Sequence, residues 1–344
     1  MRLITAAAAI WLAAAAAIAS DEYAWQALPE AAPAPADNPT TEEKVELGRM
    51  LFFDPRLSST GTISCFSCHN VTEGGDDHRP TSIGVHGQKG GRNAPTVWNA
   101  AFLSAQFWDG RAPTLEEQAK GPPENPIEMG MANLDAVVQR IKSIPGYQPY
   151  FEAAFGKGDV ITIDNIARAI AAYERTLITP NSAFDRYVKG DASALTEQQV
   201  RGMRTFHEVG CTACHQGPLL AGPELPMGTG FFMKFPMQAD SPYVEKYDLM
   251  RDKGRFEATG NPGDEHMWRV PSLRNLVHTA PYMHNGAVPT LDEAVRVMAS
   301  TQLGRELSEQ QVDDIVAFLE SLSGPFPELA LPLLPPTPGD LLEP

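Results

Sequence analysis

The sequence of 344 residues has few cysteines, no excess of positive charge and, after its first 20 residues, no long hydrophobic run. It contains four cysteines, and all of them fall in two short motifs, so no disulfide framework is left to propose. Acidic residues outnumber basic residues by 43 to 27, which argues against nucleic acid as a partner. The same charge suits a protein whose partner carries a basic patch, or one that the charge simply keeps in solution.

The apolar stretch lies at the N-terminus. Residues 1–20 combine a basic start, an alanine-rich run and a small-residue cleavage site, which is the pattern of a secretory signal peptide. The run is too short to be assigned as a membrane span. We therefore predict that this segment is removed on export, that no membrane span remains and that the mature protein lies in the periplasm.

One five-residue motif occurs twice in the chain. Its copies are Cys65-x-x-Cys68-His69 and Cys211-x-x-Cys214-His215. Cys-x-x-Cys-His is the attachment signature of c-type haem, in which both thiols bond to haem vinyl groups and the histidine binds iron. A redox dithiol or half of a zinc site would not need the trailing histidine twice. We expect two covalently bound haem c groups, and their attachment outside the bacterial cytoplasm agrees with export.

Helix signals dominate outside two long loops. Capping patterns at Thr40-x-x-Glu43, Thr196-x-x-Gln199 and Ser308-x-x-Gln311 predict helix starts. Residues 71–113 and 216–289 are rich in glycine and proline, and long loops of this kind are usually functional. We find no alternating pattern of strands.

The order of helix, turn and haem motif appears twice, which indicates an internal duplication. We predict an all-α fold of two cytochrome c-like haem domains with long loops, related by this duplication. The domains are expected at residues 40–180 and 181–324, preceded by an extended arm at 21–38 and followed by a proline-rich tail at 325–344.

Each iron also needs a second axial ligand. For the second haem, Met298 lies on the inward face of a predicted helix, with Met267 and Met283 as alternatives. A core methionine without a ligand role is the plainer interpretation of that spacing. For the first haem, His78 and His86 follow in the loop, and a surface histidine is the simpler interpretation for each.

Longer motifs around the two haem sites resemble the bacterial dihaem cytochrome c peroxidases over about residues 40–322. The strings are 80–84 (Pro-Thr-Ser-Ile-Gly), 92–96 (Arg-Asn-Ala-Pro-Thr), 106–111 (Gln-Phe-Trp-Asp-Gly-Arg), 125–129 (Asn-Pro-Ile-Glu-Met), 273–275 (Leu-Arg-Asn), 279–282 (Thr-Ala-Pro-Tyr) and 293–295 (Glu-Ala-Val). Several such strings in the right order are far more specific than either haem motif alone.

The resemblance implies a division of labour between the haems. The second haem, held by His215 and Met298, would be the high-potential group that receives electrons. The first haem, on His69, would be the low-potential peroxidatic centre. Trp108 matches the tryptophan that lies between the haems and would couple them electronically.

The resemblance also implies roles for polar residues. Glu128 matches the distal acid–base residue, because peroxide must lose a proton to bind and its distal oxygen must gain one to leave. Gln118 matches a neighbour that would orient peroxide. Asn93, Thr279 and Pro281 match an interdomain calcium site built from a side-chain amide and two backbone carbonyls.

One position departs from the family pattern. Its best-known members have a histidine directly after Ser-Ile-Gly, which caps the peroxidatic iron at rest, whereas this chain has Val85 there and His86 one position later. If His86 reaches the iron, the enzyme must be half-reduced before it reacts. If it does not, the first haem is open at rest. We expect His86 to be a releasable ligand.

The expected function is a periplasmic peroxidase that reduces hydrogen peroxide to two waters with electrons from a small protein, either a c-type cytochrome or a cupredoxin. Family members often form homodimers. One rival is the related dihaem enzyme that oxidises tryptophans of a partner protein, but that enzyme has tyrosine where this chain has Met298. The other rival is a plain dihaem electron carrier, in which Glu128 and Gln118 would have no purpose.

Overall fold

The computed structural model describes residues 23–337 and residue 339. The predicted signal peptide and the end of the predicted tail lie outside this range. Among the described residues no helix is both long and apolar enough to cross a membrane.

Most of the regular structure is helical. The α-helices are α1 (Glu42–Phe53), α2 (Cys65–Cys68), α3 (Leu115–Glu124), α4 (Leu134–Lys142), α5 (Gln148–Phe155), α6 (Ile163–Glu174), α7 (Ala183–Val188), α8 (Glu197–Glu208), α9 (Pro242–Lys246), α10 (Phe256–Thr259), α11 (Leu291–Leu303) and α12 (Glu309–Glu320). The predicted capping boxes at Thr196 and Ser308 are present at the starts of α8 and α12. The first helix begins one residue later than predicted, because Thr41 rather than Thr40 is the N-cap.

A short β-ribbon makes the prediction of an all-α fold incomplete. Strands β1 (Phe232–Lys234) and β2 (Met267–Arg269) pair antiparallel, with Phe232 opposite Arg269. Both strands lie in the second long loop. Three-residue strands are too short to give an alternating sequence pattern, which is why the sequence showed no sign of them.

Two helix pairs form the two main hydrophobic cores. Helix α1 packs on α6, and α8 packs on α12. A glycine sits at each crossing: a Cβ on Gly48 would collide with the backbone of Ala169, and a Cβ on Gly202 would collide with the backbone of Asp314. The two crossings therefore share one packing solution, in which only glycine permits the close approach of the backbones.

The two ends of the described chain each pack on the distant core. Near the N-terminus, the Trp25 ring lies 5.5 Å from the Phe318 ring, and the backbone N–H of Leu28 donates to Asp185 Oδ1 at 2.9 Å. Near the C-terminus, Arg56 Nη1 donates to the carbonyl of Pro335 at 2.8 Å. The predicted arm and tail are thus irregular but packed, and each joins one half of the molecule to the other.

Candidate active site

The first haem motif forms a single helical turn. Cys65 and Cys68 are the ends of α2, and the backbone N–H of His69 donates to the carbonyl of Cys65 at 2.9 Å. His69 Nδ1 lies 3.2 Å from the carbonyl oxygen of Gly75. Because a carbonyl can only accept, Nδ1 carries the proton and Nε2 keeps its lone pair. A second-sphere contact of this kind is what a metal-binding imidazole normally has.

The second motif repeats this arrangement. Residues Cys211–Ala213 form a 3-10 turn, and the N–H of His215 donates to the carbonyl of Cys211 at 3.0 Å. His215 is buried, and its Nδ1 lies 2.7 Å from the carbonyl oxygen of Leu220. Its Nε2 is likewise left free to bind iron.

The cysteine thiols do not have the properties of a redox dithiol. The four cysteines form no disulfide. Burial raises the pKa of Cys68 to about 11 and that of Cys211 to about 12. Reactive dithiols need a lowered thiol pKa, so these environments argue against a redox dithiol at either motif.

A cavity lies against each motif. The cavity at Cys65, Cys68 and His69 has a volume of about 580 Å³, and the cavity at the second motif has a volume of about 240 Å³. Asn93 and Trp108 line both cavities. Each space offers a pair of thiols and an imidazole nitrogen beside apolar side chains, which is the set of groups that a covalently attached haem needs, and the two spaces share one wall.

Glu128 and Gln118 both line the first cavity. Asn125 Nδ2 donates to Glu128 Oε1 at 2.9 Å and so fixes the carboxyl group. Burial raises the pKa of Glu128 above the ordinary range of a carboxyl group, while the charge of Arg111 and the contact with Asn125 partly oppose this rise. A carboxyl with a raised pKa can both take and return a proton near neutral pH.

The methionine predicted for the second haem faces its cavity. Met298, in α11, lines that cavity together with His215. Met283 also lines it, whereas Met267 lies in β2 outside the lining. The geometry therefore keeps Met298 and Met283 as candidates.

Trp108 is held in the shared wall by its own hydrogen bonds. Its Nε1 donates to the carbonyl of Asn93 at 2.9 Å, and its carbonyl accepts from the N–H of Arg269 at 2.9 Å. The indole is partly buried. A fixed aromatic ring that touches both cavities is suitably placed to couple them.

Comparisons with known proteins agree with this geometry. A family model described as di-haem cytochrome c peroxidase matches residues 42–193. The chain is 48% identical to cytochrome c551 peroxidase of Pseudomonas aeruginosa over 304 residues, covering 86% of this chain and 83% of the relative. It is 44% identical to cytochrome c551 peroxidase of Nitrosomonas europaea, covering 90% and 88%. The chain belongs to the di-haem cytochrome c peroxidase family.

A solved structure supports the same assignment. A MauG-like protein associated with microbial copper homeostasis superposes with a TM-score of 0.74 at 33% identity, covering 86% of this chain and 95% of that protein. The resemblance predicted from the sequence motifs is thus confirmed at the level of family, helix-rich fold and dihaem peroxidase class.

The structure does not bring His86 to the first cavity of this family member. The His86 side chain is exposed, its backbone has φ 57°, and it is not part of the cavity lining. The preceding Val85 is 1% exposed, and its N–H donates to the carbonyl of Glu128 at 2.9 Å. For His86 to bind an iron ligated by His69, this loop would have to move so that His86 enters a cavity that it does not line.

The residues predicted for calcium all line the second cavity. Thr279 and Pro281 line that cavity, and Asn93 lines both. Asn93 Nδ2 donates to the carbonyl of Arg79 at 2.8 Å, which leaves its Oδ1 as a possible cation ligand. The three residues join segments that are more than 180 positions apart in sequence.

Among the charged residues of the cavities that the sequence analysis did not name, two are buried. Glu174, at the end of α6, lines the first cavity, and burial raises its pKa to about 8. Its Oε2 is buried without a hydrogen-bond partner. Arg269, in β2, lines the second cavity and is 4% exposed. Neither lies in a recognisable motif, so the tertiary contacts alone reveal them.

Proposed function

We propose that the protein reduces hydrogen peroxide to water with electrons from a small redox protein, either a c-type cytochrome or a cupredoxin. The observation that carries this proposal is the first cavity, where His69, Glu128 and Gln118 share one lining. When bound, the haem supplies the iron at which the oxygen–oxygen bond is reduced. The protein supplies the proton transfer, the orientation of peroxide and the delivery of electrons.

Glu128 performs the proton transfer in this proposal. The carboxylate takes a proton from peroxide as peroxide binds and returns it to the distal oxygen, which leaves as water. Asn125 keeps the carboxyl oriented through its 2.9 Å hydrogen bond. Gln118 orients the peroxide from the same wall.

Electrons reach the first haem through the second. We propose His215 and Met298 as the axial ligands of the second haem, because soft thioether ligation raises the reduction potential relative to two imidazoles. Trp108 then couples the two haems across the wall that both cavities share.

The placement of His86 supports an enzyme that is open at rest. Of the two resting states that the sequence allows, ligation by His86 requires the loop that carries His86 to move into the first cavity, whereas an open first haem requires no such movement. We propose the second state, with activity that does not depend on prior reduction. A loop change that brings His86 to iron is the alternative, and it predicts a reductive priming step.

Several finer features complete the proposal. Calcium would bind between the two halves through Asn93 Oδ1 and the carbonyls of Thr279 and Pro281. The matching glycine crossings support a duplicated haem-binding unit, with domains at residues 40–180 and 181–324 and a tail from residue 325. The signal-like N-terminus supports a periplasmic location. We also propose a homodimer, as is common in the family.

One experiment tests both the function and the resting state. The purified holoprotein is mixed with hydrogen peroxide and reduced cytochrome c or cupredoxin, and absorption spectra are taken of the oxidised and half-reduced forms. We expect peroxide-dependent oxidation of the donor and a high-spin first haem in the oxidised protein. If neither donor supports peroxide turnover, the peroxidase proposal is wrong and a dihaem electron carrier becomes the better interpretation. A high-spin signal that arises only on half-reduction would restore His86 as the resting ligand.

A further inference from the structure

Arg269 is a buried cation that has no carboxylate in direct contact. Its side chain is 4% exposed, and its Nε donates to the carbonyl of Phe107 at 2.9 Å while Nη1 donates to the carbonyl of Val270 at 3.1 Å. Within the described part of the chain, no carboxylate lies within 4.0 Å of its guanidinium. Burial lowers the pKa of Arg269 to about 10, and the charge of Asp109, which is itself paired with Arg92 and Arg111, opposes this fall only in part. The guanidinium is still charged at neutral pH.

Other buried arginines of this protein have acidic partners. Arg274, which is 1% exposed, has Nη1 2.9 Å from Asp185 Oδ1. Arg56, which is 6% exposed, has Nη2 2.7 Å from Asp54 Oδ2. Removing a charge from water is costly unless it is paired, and carbonyl dipoles replace a counter-charge only in part. The environment of Arg269 therefore lacks a counter-charge in direct contact, which a bound anion could supply.

The second cavity contains no other group that could supply that anion. None of the residues that line it is Asp or Glu, and most of them are apolar. Arg269 reaches this cavity from β2, next to Trp108, whose carbonyl accepts from the Arg269 N–H. A haem carries two carboxylates on an otherwise apolar plate, so a haem in this cavity would bring the missing charge to the guanidinium.

We propose that Arg269 pairs with a carboxylate side chain of the second haem and thereby holds up the reduction potential of that haem. The proposal rests on the proposed function, in which the second haem receives the electrons. The sign follows from electrostatics: a carboxylate without its cation disfavours the addition of an electron to the nearby iron, so loss of the Arg269 charge lowers the potential.

The Arg269 side chain also holds the carbonyl of Phe107, so the test must separate the effect of the charge from that of the structure. Arg269→Met removes the charge and keeps much of the apolar stem, whereas Arg269→Lys keeps the charge and loses the planar fork. The midpoint potentials of both haems are measured by spectroelectrochemical titration of the holoprotein. Resonance Raman spectra report the bending mode of the haem carboxylates.

We expect Arg269→Met to lower the midpoint of the second haem by about 59 mV, which is a tenfold change in the ratio of its ferric to ferrous forms. The midpoint potential of the first haem should not change in Arg269→Met. In Arg269→Lys the second haem should retain most of its wild-type midpoint potential, and the Raman band of the haem carboxylate bending mode should shift. If Arg269→Met does not fold, Arg269→Gln serves in its place.

Arg296→Gln is the matched control. Arg296 lies on α11 two positions before Met298 and is paired with Glu309, so its loss should leave both midpoints unchanged. Equal shifts in the Met and Lys variants, or no shift in either, would overturn the proposal. These titrations need no peroxide, so a failure here is distinct from a failure of peroxide turnover.

Discussion

The two cavities differ in charge more than in architecture. Both have a Cys-x-x-Cys-His turn, a histidine fixed through Nδ1 and a share of Trp108 in the wall. The first is lined by five acids and three arginines, namely Glu128, Glu174, Asp248, Asp252, Glu257, Arg92, Arg111 and Arg251. The described lining of the second cavity contains no acidic residue, and Arg269 is its one arginine or lysine.

This difference follows from general electrostatics. An apolar cavity with a buried cation favours the reduced, less positive iron, and an acid-lined cavity favours the oxidised iron and holds protons close to it. The charges of the cavity walls therefore favour the same division of labour between the haems as the proposed axial ligands do. Variants that change a charge or a ligand in one cavity test whether this difference between the cavities determines the roles of the two haems.

Replacing the proton-transfer group of the first cavity should have the largest effect. Glu128→Gln keeps the acceptor for Asn125 but cannot exchange a proton, and we expect kcat/KM for peroxide to fall by about 10²–10⁴-fold. In the wild type, activity should fall as the pH drops through the pKa of Glu128, which burial raises above the ordinary carboxyl range. The variant should lack this acid limb of the pH profile.

The control for this variant is Glu124→Gln, four positions earlier at the end of α3 and exposed. It should leave the kcat/KM and the pH profile unchanged. Retention of more than a tenth of the activity in Glu128→Gln would show that another group moves the proton, and Glu174 would then be the first candidate.

The second acid of the first cavity should affect stability. The pKa of Glu174 is raised by burial from its ordinary value of 4.5 to about 8. Between these two pKa values the folded state keeps a proton on Glu174 that the unfolded state releases. The contribution of Glu174 to the free energy of unfolding is therefore fully present below pH 4.5 and is lost as the pH rises towards 8. Glu174→Gln should stabilise the holoprotein by about 2–4 kcal/mol at pH 8.5 and have little effect at pH 4.5.

Denaturant unfolding of the holoprotein at both pH values measures this difference. The exposed Glu320→Gln, at the end of α12, is the matched variant and should not change the pH dependence. If the free energy of unfolding depends on pH as strongly in Glu174→Gln as in the wild type, Glu174 is ionised in the folded protein and contributes a negative charge to the cavity.

Replacement of Met298, the proposed axial ligand of the second haem, should have the next largest effect. Met298→His replaces the thioether by an imidazole and should lower the midpoint of the second haem on the order of 0.1 V, within the roughly 0.8 V range that axial ligands cover. The sulfur–iron charge-transfer absorption should vanish as well. Met283→Leu is the control within the same cavity lining, and loss of that absorption in Met283→Leu alone would make Met283 the ligand.

The sequence predicted those parts of the molecule that local chemistry determines. The haem motifs, the capping boxes at Thr196 and Ser308 and the family strings each depend on a few neighbouring residues. Glu174 and Arg269 could not be predicted this way, because an acid at a helix end and an arginine in a loop are ordinary residues until the fold buries them without an ion-pair partner in direct contact. The position of His86 was equally hidden, since one residue of register in a loop decides whether a side chain faces a cavity or the solvent.

The smallest expected effect is that of His86→Ala. An exposed side chain outside the cavity lining should contribute less than about 0.5 kcal/mol to stability. The oxidised spectrum and the rate of peroxide turnover without prior reduction should both match those of the wild type. Val85→Ala is the informative companion, because Val85 is buried against the segment of Glu128 and its truncation should slow turnover without a change of iron ligand. A new high-spin signal in His86→Ala would mean that the loop reaches the iron when haem is bound, and the contrast between an open first haem and a capped second haem would then hold only after half-reduction.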